Sequence, residues 1–231
     1  MIRVNVIAEG QSEMHFAQGP LNKYLGGNPY IISYALLTSR DKHTKRPHRG
    51  GIPNYQKAKN DIIIALKEKS KPYVSTMFDF FQLPSDFPGY QKSLQCSDHL
   101  ESVHILESSM QADIAKSLPN QDVDHRFIPY IQLHEFEALL FTDIQILKNE
   151  YCSLEEKSRI DQLYESTKNI PPEDINHGEE TAPSKRLLAA VDYKKGKLPS
   201  DLLEAITIKT IRQRCPHFSE WLDRLQALAG A

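Results

Sequence analysis

Three acidic runs each follow a strand-like apolar segment. Val4–Ala8 leads into Glu9-Gly10-Gln11-Ser12-Glu13, Tyr73–Phe78 into Asp79-Phe80-Phe81, and Phe127–Gln132 into His134-Glu135-Phe136-Glu137. Carboxylates gathered at strand ends suit a hard divalent cation. Mg²⁺ takes oxygen ligands, usually one or two protein carboxylates together with water and substrate phosphate. Such a site acts on phosphate esters, and a pair of ions about 4 Å apart would stabilise both the attacking and the leaving oxygen. Each acid also has a plainer role. Glu9 or Glu13 near a helix start would favour the positive end of the helix dipole, worth under about 1 kcal/mol. Asp79, set between an apolar strand and two aromatics, needs a donor, a cation or a proton if it is buried. Glu135 and Glu137 share a face in extended chain and diverge by about 200° in a helix. The helix-like Ala138-Leu139-Leu140-Phe141 that follows implies that one of the two reaches the site.

Basic residues fall in two places. Arg40 to Gly51 carries five Lys/Arg against one Asp, a net of +4. Arg40, Lys45, Arg46 and Arg49 could neutralise nucleic-acid phosphates, with Gly50-Gly51 allowing close backbone approach; the plainer reading is a solvated charged loop. Pro183-Ser184-Lys185-Arg186 places two more cations where they could meet a scissile phosphate or simply open a helix. No G-x-x-x-x-G-K-[ST] is present, no G-x-G-x-x-G follows the first strand, and C-x-x-C, H-E-x-x-H and G-x-S-x-G are all absent. These absences argue against P-loop, dinucleotide-binding, zincin and nucleophile-elbow chemistry.

The elements that must position these residues alternate. Strands are expected at Ile2–Ala8, Ile31–Leu37, Pro72–Asp79 and Phe127–Gln132, the last pushed toward an edge or bulge by Pro129. Helices are expected at Glu13–Leu25, Asn54–Lys69 and 99–118, the last with Val103, Leu106, Met110, Ile114 and Leu118 at spacings of three and four. A β-α-β-α-β-α-β order predicts an α/β fold with a mostly parallel sheet flanked by helices, whose ligands bind beyond the carboxyl ends of the strands. Beyond residue 145 the pattern turns helical. A capping box at Ser153-x-x-Glu156 opens one helix, a polar loop spans Asn169–Ser184, and further helices fall at 186–192, 200–214 and 217–229. The organisation read from this is an α/β unit over 1–145 and a helical C-terminal subdomain over 146–231.

The chain has 231 residues and a formal net charge of −2, with 40% hydrophobic and 25% charged residues. A chain of this length buries enough surface to fold without disulfides or metal staples. Near-neutral charge excludes a dedicated nucleic-acid coat but not a local basic patch. Cys96, Cys152 and Cys215 are widely spaced and odd in number, which fits a reducing cytoplasm. No apolar run approaches the ~18–20 residues of a membrane span, and no signal peptide is expected.

Val6-Ile7-Ala8-Glu9-Gly10-Gln11-Ser12-Glu13 resembles the first motif of Toprim domains, the catalytic module of topoisomerases, primases and overcoming-lysogenisation-defect nucleases. The resemblance covers about the first 140 residues in strand-helix order. The whole chain is similar to a Toprim-like bacterial family encoded beside ABC/AAA-type ATPases in suspected phage-defence operons. The residues behind this are Glu9-Gly10-x-Ser12-Glu13, Arg49-Gly50-Gly51, Asp79-Phe80-Phe81-Gln82-Leu83-Pro84 with Pro88-Gly89, His134-Glu135-Phe136-Glu137, Pro183-Ser184-Lys185-Arg186 and Cys215-Pro216-His217-Phe218-x-x-Trp221. The resemblance implies a Mg²⁺- or Mn²⁺-dependent nuclease with an ATPase partner. Glu9, Asp79 and Lys185 would be catalytic, and Glu9, Glu13, Asp79, Glu135 and Glu137 would supply the metal ligands. Arg40, Lys45, Arg46, Arg49, Lys185 and Arg186 would hold nucleic acid. One departure stands out, because Phe81 occupies the place of the second Asp of the Toprim Asp-x-Asp pair. Glu135 or Glu137 is expected to supply the missing oxygen; the competing expectation is a non-catalytic subunit that binds nucleic acid or the ATPase. A hydrolase of small phosphorylated molecules is a third.

Overall fold

The computed structural model describes residues 1–40, 47–49, 51–175, 178 and 180–230. Its centre is a five-stranded parallel sheet. Strand β1 (Arg3–Ala8) lies between β2 (Tyr30–Ala35) and β5 (Tyr73–Asp79), and β5 pairs on its other side with β6 (Phe127–Ile128) and β7 (Ile131–Gln132). Strands β3 (Leu37–Arg40) and β4 (Pro47–Arg49) form a separate antiparallel pair, a hairpin unforeseen within the basic segment. The central strands are buried on both faces, as parallel strands under helical crossovers must be. Alternate residues face opposite layers. Val4, Val6 and Met77 join one apolar core, and Ile7, Val74 and Phe78 join the other.

The first layer is built from α3 (Tyr55–Leu66) and α5 (His99–Ser117), with the short turns α4 (Tyr90–Ser93) and α6 (Val123–Arg126) flanking α5. Both long helices start where a side chain can accept an orphan backbone N–H. Asn54 accepts that of Lys57 at 3.1 Å, and Asp98 that of Leu100 at 2.8 Å. On the opposite face, α1 (Gln11–Phe16) runs through a π-helical turn at Ala17–Leu21 into α2 (Asn22–Tyr24). Pro20 lies in that turn; a proline inside a helix cannot donate the usual bond, and the ladder widens around it.

The C-terminal residues fold as α7 (Leu154–Thr167), α8 (Pro183–Ala190), α9 (Lys197–Ile206), α10 (Ile208–Arg214) and α11 (Pro216–Ala227). The single helix expected over 200–214 is divided at Thr207, whose φ of 78° no α-helix accommodates. The loop ahead of α8 is put to structural use, because the Glu173 carboxylate accepts the N–H groups of His217 and Phe218 at 3.0 Å each and caps α11. One apolar core runs across residue 145. Phe16, Met77 and Tyr130 share it with Leu203, Phe218 and Trp221. Trp221 stacks on Tyr130 at 4.5 Å and donates its indole N–H to Ser75 Oγ on β5 at 2.9 Å. Among the described residues, no helix is long and apolar enough to cross a membrane.

The strand expected over Phe127–Gln132 is broken into β6 and β7 by Pro129, at the sheet edge where a missing donor is tolerated. Thr76 on β5 fills the gap. Its hydroxyl accepts the Tyr130 N–H at 2.9 Å and donates to the Tyr130 carbonyl at 3.0 Å. Replacing Thr76 by Val keeps the volume, leaves the buried Tyr130 N–H without a partner and leaves its carbonyl only the long 3.5 Å bond from the Phe78 N–H. Thr76→Val is expected to lower stability by about 1–3 kcal/mol in urea unfolding; an unchanged midpoint would show that this bridge does not hold the broken strand.

Candidate metal centre at the carboxyl edge of the sheet

The register of β1 against β5, with Ala8 opposite Met77, brings the residues after both strands side by side. Glu9 Oε2 accepts the backbone N–H of Asp79 at 3.0 Å, and Asp79 Oδ1 accepts the N–H of Phe136 at 2.9 Å. These two bonds tie the end of β1 to the end of β5, and the end of β5 to the turn that follows β7. Glu13 enters from the first turn of α1 and accepts the Gly10 N–H at 2.9 Å. A Cβ on residue 10 would approach Glu13 Oε2 to 3.1 Å, so glycine leaves the room this closure needs.

Glu135 and Glu137 part company, because Phe136–Thr142 is 3₁₀-helical. Glu135 turns to the start of α8, where its two oxygens accept the Ser184 N–H at 2.8 Å and the Ser184 hydroxyl at 3.0 Å. Glu137 turns to the acidic group. Its Oε1 lies 3.4 Å from Lys195 Nζ and 3.4 Å from the Tyr193 hydroxyl, while its Oε2 is buried without a hydrogen-bond partner. Lys195 was not foreseen. It lies in the short link before α9, held where the Gly196 N–H bonds Ser12 Oγ at 3.0 Å, with Gly196 at φ 106°. No local sequence pattern marks this lysine, since only the packing of α9 on α1 brings the link to the sheet edge.

Glu9, Gly10, Ser12, Glu13, Gly51, Asp79, Lys195 and Gly196 line one cavity of about 390 Å³. Glu13 and Glu137 are buried, Glu9 and Asp79 partly so. Burial and mutual repulsion push these acids toward their protonated forms. Burial raises Glu9, against the opposing Asp79 N–H. Burial, with Glu137 and Glu9 nearby, lifts Glu13 to about 8. Asp79 is raised well above the usual carboxylate range by burial and then by Glu9, Glu13 and Glu137. Burial also raises Glu137, although Lys195 opposes it. For Lys195, burial disfavours the charge, but Glu137, Asp79 and Glu135 outweigh it and raise its pKa. One partly exposed ammonium thus faces several crowded carboxyl groups. The donor set is oxygen only, the kind a hard divalent cation takes, with one Glu137 oxygen unpartnered. Among the described residues, no three of these carboxylates bring oxygens within 4.8 Å of one another, so a cation would have to draw them together.

The remaining candidates lie elsewhere. Lys185 is exposed and lines a second cavity, of about 510 Å³, with Phe81, Gln82 and Glu180. Arg186 Nε donates to the Thr181 carbonyl at 2.7 Å. Arg40 and Arg49 lie on β3 and β4, while Lys45 and Arg46 lie outside the described residues. Gly51, at the end of the same basic segment, reaches the acidic cavity. Phe81 donates its N–H to the His134 carbonyl at 2.8 Å and so braces the turn that carries Glu135 and Glu137.

A carboxyl whose folded pKa is raised stabilises the fold below its unfolded pKa, and that stability is lost as pH rises through the folded value. For Glu13 the window runs from the ordinary glutamate value of 4.5 to about 8. In chelator, melting temperature is therefore expected to fall as pH is raised across this range. Glu13→Gln should restore on the order of 2–4 °C at pH 8, the shift of about 1 kcal/mol in a chain of this size. A melting temperature that climbs over the same range, or a Glu13→Gln variant that melts lower at pH 8, would contradict this.

Comparison with known proteins adds a family but no activity. No curated protein and no solved structure matches the chain. A family model described as a domain of unknown function, DUF4276, matches residues 8–226, from the end of β1 to the last turns of α11. That span takes in the acidic edge, the link bearing Lys195 and the C-terminal helices together, and the chain accordingly belongs to the DUF4276 family.

Proposed function

We propose that the acidic edge binds Mg²⁺ or Mn²⁺ and hydrolyses phosphodiester bonds of DNA or RNA. The observation that carries this is the gathering of Glu9 and Asp79, from the ends of β1 and β5, with Glu137 of the 3₁₀ turn after β7, which adds to burial in raising the pKa of both and has one buried oxygen unpartnered. Glu9, Asp79 and Glu137 would hold the cation, with Glu13 lining the same cavity as Glu9 and Asp79. Glu135 is tied to Ser184 and steadies the turn. A bound divalent ion supplies Lewis-acid polarisation of the phosphate and a lowered pKa for an attacking water.

The chain's own groups supply the rest. Lys195, the cation at the cavity wall, is placed to stabilise negative charge developing on a phosphate. Glu9 borders the cavity and is suited to hold or take a proton from water. Glu13, titrating near 8, is suited to keep a proton at neutral pH. Gly51 permits a phosphate backbone to approach closely, and the basic segment before it is suited to hold that backbone. The Toprim resemblance supports the same reading and extends it to a cytoplasmic defence nuclease working with an ABC/AAA-type ATPase. A second reading, a non-catalytic subunit that binds nucleic acid or that ATPase, is favoured by one observation. Phe81, at the place of the second Toprim Asp, lines the neighbouring cavity with Lys185 and offers no oxygen.

Nicking of supercoiled plasmid and cleavage of RNA, with Mg²⁺, Mn²⁺ or chelator, separate the two. The nuclease reading expects metal-dependent cleavage that Glu9→Gln, Asp79→Asn and Glu137→Gln each reduce by at least about 100-fold. Cleavage equal in all variants overturns the site. Absence of cleavage with an ATPase partner present, together with nucleic-acid binding that persists in chelator and in Glu9→Gln, establishes the binding subunit instead.

A further inference from the structure

Two histidine–glutamate pairs with the same internal spacing meet between α5 and α11. His104 and Glu107 lie three residues apart on α5, and His217 and Glu220 three apart on α11. The pairs cross over. His217 Nε2 lies 3.1 Å from Glu107 Oε1, and His104 Nε2 lies 3.1 Å from Glu220 Oε2. The two rings meet edge to face with centroids 5.3 Å apart. Among the described residues, His104, Glu107 and His217 each place one ligand-type atom within 4.8 Å of the others.

We propose that His104, Glu107 and His217 form a transition-metal site of the zinc class that clamps α11 to α5, separate from the acidic edge, with Glu220 holding His104 from outside. Spacing of three residues puts His and Glu on one helix face, and paired His and Glu positions on facing helices are a recurrent way to build a metal site inside a helical layer. Metal–ligand bonds of about 2.0–2.1 Å in a tetrahedron set ligand atoms roughly 3.3 Å apart. The His217–Glu107 separation, at 3.1 Å, comes within a few tenths of an ångström of that edge, and His104 completes three ligand atoms within 4.8 Å of one another. Two imidazoles and the Glu107 carboxylate leave one position for water, and the nitrogen donors select Zn²⁺, Co²⁺ or Ni²⁺ over Mg²⁺.

His217 supplies an independent observation. Its side chain is 3% exposed, and its Nε2 also lies 3.1 Å from the Ile131 carbonyl, yet its Nδ1 is buried without a partner. As a neutral ring donating from Nε2 it leaves a buried lone pair on Nδ1, and as an imidazolium a buried N–H, so the ring is incompletely satisfied in either protonation state. Glu107 is held by the Ile131 N–H at 2.8 Å, and Tyr130 stacks on the His217 ring at 5.0 Å, which gives the buried half of the site a fixed surround. Side chains of His104 and Glu220 are 45% and 57% exposed, which gives an ion its way in. On binding, the ion replaces any proton on the ligating ring nitrogens, and that proton leaves to solvent.

Chelator-treated protein titrated with Co²⁺ in excess Mg²⁺ tests this, since tetrahedral Co²⁺ absorbs in the visible and Mg²⁺ occupies oxygen-only sites. The expected result is visible bands that saturate at one Co²⁺ per chain and are displaced by Zn²⁺, with Zn²⁺ raising the melting temperature. His104→Ala and Glu220→Gln, both at exposed positions that spare the fold, should weaken Co²⁺ binding by about 10–100-fold, while Glu9→Gln leaves it unchanged. Absence of bands in the unaltered chain, or bands that survive His104→Ala, overturns the proposal. Bands lost in Glu9→Gln but kept in His104→Ala also overturn it and put the ion at the acidic edge.

Discussion

The bond from the Asp79 backbone to the Glu9 carboxylate depends on a single choice of register, Ala8 opposite Met77. A slip of one residue would reverse the faces of β5 and move Asp79 out of reach. That register is enforced by the two cores, since Val6 and Met77 must enter one layer while Ile7 and Phe78 enter the other. Apolar patterning in the strands thereby dictates where the carboxylates lie, and the cost of crowding them is carried by burial elsewhere in the fold. Raised pKa values at Glu9, Glu13, Asp79 and Glu137 express that cost. An arrangement that resists its own ionisation gains most from a bound cation, which links the fold to the proposed chemistry.

The C-terminal helices complete this edge as well as covering it. Lys195 reaches the carboxylates because α9 packs on α1 and the Gly196 N–H bonds Ser12. Ser184, at the start of α8, occupies Glu135 and leaves Glu137 as the acid directed at Lys195. Trp221 anchors α11 to β5 through Ser75, four residues before Asp79 on the same strand, so the helical region and the sheet share one core.

Much of this was legible in the sequence. Apolar runs ending in Glu9, Asp79 and the His134–Glu137 stretch marked strand ends, because a parallel strand buried on both faces reads as a continuous apolar run that stops where solvent or a site begins. The divergence of Glu135 and Glu137 followed from the helix-like residues after them. The rest was not legible because it depends on long-range packing. Lys195 lies in a short link with no signature, and Lys185, expected at the carboxylates, instead lines the cavity beside Phe81. The division of 200–214 rests on the backbone of Thr207, which caps α10 by accepting the Thr210 N–H, a role that a threonine inside an otherwise helical pattern does not announce. His104 and His217 are more than a hundred residues apart, so their meeting is visible only once α5 and α11 are packed.

The central claim is that the carboxyl edge of the sheet is a divalent-cation site. Anomalous diffraction from crystals soaked in Mn²⁺ tests it most directly. The account predicts a Mn²⁺ peak bounded by Glu9, Asp79 and Glu137, facing Lys195 across the cavity and absent from crystals of Asp79→Asn. Well-ordered carboxyl groups with no Mn²⁺ among them, at a pH above the titration of Glu13, would contradict it.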